Sequence, residues 1–164
     1  MFLRKQLVHG SGVLLFALLL FAIGLVLYGD SGRVSFEHGV ASGDPLDDRI
    51  ILWTRVTPQE SQRKVRVRVE VASDEKFESL VYSSVKSTTA KSDYTVKVDV
   101  EGLSAGTAYY YRFRSGETAS VIGRTKTLPR GDVDSVRLAV FSCANYPTSH
   151  GGYFNVYGHA AETA

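Results

Sequence analysis

Cysteine is nearly absent from this chain. The 164 residues contain one, Cys143, together with one tryptophan, one methionine and four prolines. A single cysteine cannot form an internal disulfide, so no covalent staple holds the fold. No C-x-x-C and no H-E-x-x-H occurs, which removes the common zinc motifs. Net charge is scarce too. Nineteen Lys and Arg stand against seventeen Asp and Glu, leaving +2. So small an excess argues against bulk electrostatic binding to nucleic acid. Internal repeats and low-complexity tracts are also missing. What remains is ordinary globular composition, 44% hydrophobic and 22% charged, at a length that suits one domain with an appendage.

One long hydrophobic run is present. Arg4 and Lys5 precede an uncharged stretch from Gly10 to Gly29, apolar throughout from Val13 to Tyr28. As a helix, Gly12 to Gly29 would reach roughly 27 Å, about one hydrocarbon core. The positive end is expected to stay in the cytoplasm and everything after Asp30 to be exported. Residues 1–31 therefore read as a signal peptide or a membrane anchor. The charged start suits the first; the length of the run and the lack of an A-x-A cleavage site suit the second.

Residues 34–128 are expected to form an all-β domain, because short runs of Val, Tyr and Thr are separated by turn signals at near-regular intervals. The segment from Ser35 to Pro45 reads as a short strand entering a turn, and Arg49–Val56 as a second strand, with Ile50, Leu52 and Trp53 at the centre of the core. Val65–Ala72 alternates cleanly. Its four valines share one face, while Arg66, Arg68 and Glu70 share the other, which reads as a solvated outer surface. Ser73–Phe77 is a turn. Ser79–Ser87, Asp93–Val100 and a strand through Tyr109–Tyr111 follow, and Ala119–Thr127 closes the domain. Leu103, Gly106, Thr107 and Tyr109 have the spacing of a tyrosine corner. About seven strands of this kind make an immunoglobulin or fibronectin type III-like sandwich. Asp44, Asp47 and Asp48 lack EF-hand spacing and read as a solvated turn. Residues 129–135 are a linker, in which the RGD triplet Arg130–Asp132 is a chance occurrence.

Residues 136–164 begin something different. Val136–Phe141 is apolar except for Arg137 and reads as a strand covered on both faces. Ser142, Cys143 and Asn145 follow, at the strand end where layered α/β folds collect ligands. Tyr153, Val156, Tyr157, Ala160 and Ala161 recur at helical spacing. A strand and helix without partner strands cannot bury their apolar faces, so this part is expected to be the start of a second domain and poorly stable by itself. Cys143 has two chemical readings: a small core hydrophobe, or a thiolate ligand for a soft metal. A cysteine phosphatase would need arginine six residues on, where Ser149 stands, and nothing in the spacing of His150 or His159 supports a papain-like nucleophile.

FEHGVASGDP, IILWTRVTP, GLSAGTAYYYRFR and RLAVFSCANYPTSHGGYFNVYGHAAE, in that order, resemble the N-terminal part of PhoD-like alkaline phosphatases. RKQLVHGSG (Arg4 to Gly12) also resembles a twin-arginine export signal, with Lys5 where the second arginine would stand. The resemblance implies an exported protein, located in the periplasm, at the cell surface or anchored in the membrane. It implies a fibronectin-like domain followed by the truncated start of an α/β metallophosphatase domain, phosphate-ester substrates, and iron and calcium as cofactors. Cys143 matches the position of the family's iron ligand. The G-D-Y-I-Y block that carries further ligands is missing from these residues. The fold expected is thus mainly β, preceded by a hydrophobic helix. Two functions follow: the N-terminal part of an exported phosphatase, inactive as this chain alone, or a membrane-anchored fibronectin-like binding or structural module without catalysis.

Overall fold

The computed structural model describes residues 33–59, 64–135, 139–142 and 157–160. The expected N-terminal helix and Cys143 lie outside the described residues. Among them, no helix is long and apolar enough to cross a membrane.

Ten strands are described: β1 (Val34–Ser35), β2 (Val40–Gly43), β3 (Arg49–Arg55), β4 (Thr57–Pro58), β5 (Val65–Ala72), β6 (Leu80–Thr88), β7 (Thr95–Glu101), β8 (Ala108–Ser115), β9 (Thr118–Ala119) and β10 (Gly123–Lys126). They form a sandwich, as the alternating pattern predicts. One sheet has the order β2-β3-β7 and the other β10-β8-β5-β6, with β9 also on β8 and β1 paired separately to β4. All pairs are antiparallel. The core lies between the two sheets. Ile50 and Leu52 of β3 and Val96, Val98 and Val100 of β7 meet the four valines of β5 and Tyr109, Tyr111 and Phe113 of β8. Period-2 alternation supplies each of these rows, since every second side chain of a strand points to one face.

Four details depart from the sequence reading. Trp53 is not in the core. It sits between Leu52 and Thr54, both fully buried, and alternation turns it to the outer face with Ile51 and Arg55. Glu70 lies on the outer face of β5 but is only 7% exposed. The strand expected from Asp93 starts at Thr95, because Asp93 and Tyr94 take left-handed φ values of 50° and 51° after a 3-10 turn at Ala90–Ser92. Ala119–Thr127 is two strands. Arg114 pairs with Ala119 but Tyr111 pairs with Gly123, so one extra residue is absorbed between them as a bulge. Ser120 bridges the break, donating its N–H to the Phe113 carbonyl at 2.9 Å and accepting the Phe113 N–H on its hydroxyl at 3.0 Å.

The tyrosine corner is present. The Tyr109 hydroxyl accepts the Ser104 N–H at 2.9 Å. Buried Thr127 tightens the same loop, donating its hydroxyl to the Ser104 carbonyl at 2.6 Å and accepting the Thr107 N–H at 3.0 Å. Tyr111, on the same face, is buried as well. Its ring lies against Gly123, its register partner, where an added Cβ would stand inside the ring. Glycine is therefore needed at 123 for space.

Of the segment after the linker, Ala139–Ser142 form no strand and Val140 is 89% exposed. For Ala139–Phe141 this differs from the expected buried strand, whose first three residues lie outside the described ones. A lone strand leaves its N–H and C=O groups unpaired, and these four residues enter no strand pairing. Residues 157–160 are helical, and Tyr157 meets Phe141 edge-on with ring centroids 5.4 Å apart. The chain divides into two units, one ending at Arg130 and one starting at Gly131.

Two substitutions test these contacts. Gly123→Ala should cost about 1–3 kcal/mol of stability in urea unfolding, since the pinned Tyr111 ring must move. Tyr109→Phe should cost about 1–2 kcal/mol, because the Ser104 N–H loses its acceptor. An unchanged midpoint in either variant would remove the corresponding contact from the account.

Candidate functional site

Several ionic side chains of the sandwich are used in pairs. Arg55 reaches across from β3 to Asp93, with Nε to Oδ2 at 3.0 Å and Nη2 to Oδ1 at 2.8 Å, and its Nη1 lies 2.7 Å from His38 Nε2. The forked bond holds β3 to the tight connection between β6 and β7. It also raises the Arg55 pKa and lowers that of Asp93, each chiefly through the hydrogen bond to the other. Arg49 meets Asp48 at 3.1 Å, Glu101 at 2.8 Å and Asp99 at 3.6 Å, and its pKa is raised mainly by the Asp48 bond. Asp74 accepts the backbone N–H groups of Glu78 and Ser79, at 3.1 and 2.7 Å, and those bonds hold its carboxyl below the usual range.

Glu70 and Arg112 form the least exposed pair. Arg112 Nε stands 2.7 Å from Glu70 Oε2, and the same guanidinium lies 4.0 Å from the centroid of the Phe77 ring. The flat guanidinium covers the carboxylate and stacks on the ring together, which is why Glu70 is hidden on an otherwise outward face. Burial raises the Tyr111 pKa.

None of these groups is set out for chemistry. Asp47 is paired with Arg130 at 2.8 Å and Asp48 with Arg49, so the acidic turn is engaged in ion pairs. Arg130 of the RGD triplet is occupied by that pair. Tyr109 and Tyr111 are buried by packing and hydrogen bonds. Among the described residues, no group of three His, Cys, Asp or Glu side chains could hold a metal ion. The described residues therefore do not fit iron or calcium. Cys143, the one ligand the sequence singled out, lies outside them, and its described neighbours Phe141 and Ser142 are exposed. Sequence reasoning missed Thr127, Arg112 and Asp93; only Asp93, between a Ser and a Tyr before an alternating run, carried a local turn signal.

The Asp93 shift sets a pH dependence. Its carboxyl holds a proton less readily when folded, so its stabilisation is present above the ordinary carboxylate value of about 3.9 and lost as pH falls through the lower folded value. Asp93→Asn keeps a residue that tolerates the left-handed backbone. It should lower stability at neutral pH and flatten the loss below about pH 4, read by Trp53 fluorescence during acid unfolding. Equal slopes in both proteins would contradict the pairing.

The sequence pattern of the PhoD-like phosphatase N-terminal domain matches residues 28–129. Alkaline phosphatase D of Bacillus subtilis (strain 168) is 38% identical over 135 residues, covering 77% of this chain and 23% of that protein. A solved structure of PhoD is similar with a TM-score of 0.57 and 39% identity, covering 61% of this chain and 20% of that one. The chain thus spans less than a quarter of the length of these relatives. With the matched residues making up more than half of the 164, and with the same two-sheet domain at their centre, the chain belongs to the PhoD-like phosphatase family and carries its N-terminal domain.

Proposed function

We propose that this chain is the N-terminal, non-catalytic part of an exported alkaline phosphatase that hydrolyses phosphate esters with bound metal. The observation that carries the reading is the 38% identity to alkaline phosphatase D over 135 residues. Cys143 is its iron ligand, since a thiolate suits a soft metal. Iron and calcium would supply charge to hold the phosphoryl oxygens and activate water, which takes several convergent ligands. Within the chain, the sandwich supplies a rigid, closed domain. Its tyrosines and most of its carboxylates are committed to packing, turns and ion pairs. The apolar run from Val13 to Tyr28 directs the chain out of the cytoplasm, as signal or as anchor.

The test is metal content together with turnover of p-nitrophenyl phosphate by the purified chain. The expected result is a folded β domain with neither stoichiometric iron nor turnover. Near-stoichiometric iron with turnover abolished by Cys143→Ala would mean that a working site assembles from this chain, and the non-catalytic assignment would fall.

A further inference from the structure

The small net charge conceals a division between the two faces of the sandwich. On the sheet β2-β3-β7, Arg49 and Arg55 are matched by Asp48, Asp99, Glu101 and Asp93. The outward face of β10-β8-β5-β6 is different. Register places Arg68 opposite Arg114, Arg112 opposite Glu70, Arg124 opposite Tyr110 and Lys126 opposite Ala108. Glu70 is the one carboxylate in these four strands, and Arg112 already covers it. Arg68 and Arg114 stand directly opposite each other, an arrangement that like charges destabilise unless a counter-charge lies over them.

Apolar side chains flank these cations. Val85, the partner of Arg68 on the edge strand β6, is 51% exposed, and Val81 and Leu80 on the same strand are about half exposed. A soluble polyanion gains nothing from such a flank, whereas a bilayer interface takes both: headgroup phosphates on the guanidinium forks and the valines at the acyl boundary. Chain length agrees. Between Tyr28, the end of the apolar run, and Val34, the start of β1, six residue steps reach at most about 20 Å, so an uncleaved run holds the sandwich beside the membrane.

We propose that the Arg68–Arg114–Arg124–Lys126 face docks on an anionic lipid surface. The tether argument rests on the anchored form of the N-terminal run; the charge argument does not.

The full chain, incubated with vesicles, would be treated with phenylglyoxal, and arginine modification followed by mass spectrometry. Vesicles of phosphatidylcholine alone would be compared with vesicles of equal parts phosphatidylcholine and phosphatidylglycerol. Arg68, Arg114 and Arg124 should react about five-fold more slowly on the anionic vesicles, the factor that about 1 kcal/mol of attraction per cation near such a surface gives. Arg130 serves as the internal reference and should not change. The protection should vanish near 1 M salt, where screening acts within about 3 Å. Equal rates on both vesicles, or protection that includes Arg130, would overturn the proposal. So would protection by soluble polyphosphate but not by phosphatidylglycerol, which would assign the face to a polymer. Flotation with phosphatidylcholine vesicles reads the N-terminal anchor separately, so failure of the anchor and failure of the face are distinguishable.

Discussion

One apolar layer between two sheets carries this structure. It is built from alternate residues of β3, β5, β7 and β8, and its fully withdrawn members include Leu52 of β3, Val67, Val69 and Val71 of β5, Val100 of β7 and Phe113 of β8. With a single cysteine and hence no internal disulfide, burial of these side chains is the main favourable term in folding. The remaining features serve to close the layer. Tyr109 seals its end against Ser104, and Thr127 ties the last strand to the same loop.

The polar groups are organised by that layer. Alternation sends Arg, Glu and Lys to the two outer faces, and there the sheets differ. One face neutralises its arginines with carboxylates from adjacent strands. The other gathers cations around a single hidden glutamate. Arg112 shows how one residue can serve two purposes: its guanidinium partners Glu70 and its flat side rests on Phe77. Burying an ion pair contributes little net stability by itself, but losing either partner strands a charge. The pair therefore fixes how the Ser73–Phe77 turn lies against the sheet more than it strengthens the fold.

Much of the sandwich was legible in advance. The strand faces of β5, β7 and β8, the turn at Ser73–Phe77 and the tyrosine corner all follow from period-2 patterning and turn residues, which act within a few positions of each other. Trp53 misled because its size suggests a core position, while its neighbours Leu52 and Thr54 already occupied the inward direction. The candidate metal site was legible only as one residue. Ligand sets converge from distant parts of a chain, and spacing around Cys143 could not disclose partners that lie elsewhere.

Local pattern, by itself, determined that this chain makes antiparallel strands, which faces of them are apolar, and where an all-β domain gives way to a segment of another kind. It also sufficed for the family, because four sequence blocks occur in order. Only the tertiary structure decided the strand order in each sheet, the bulge between β9 and β10, the burial of Glu70 under Arg112, and the gathering of cations from β5, β8 and β10 onto one face. Those depend on which strands become neighbours. Neighbour choice is set by the summed packing of side chains up to dozens of residues apart, such as Glu70 and Arg112, and no short window of sequence contains both members of such a pair.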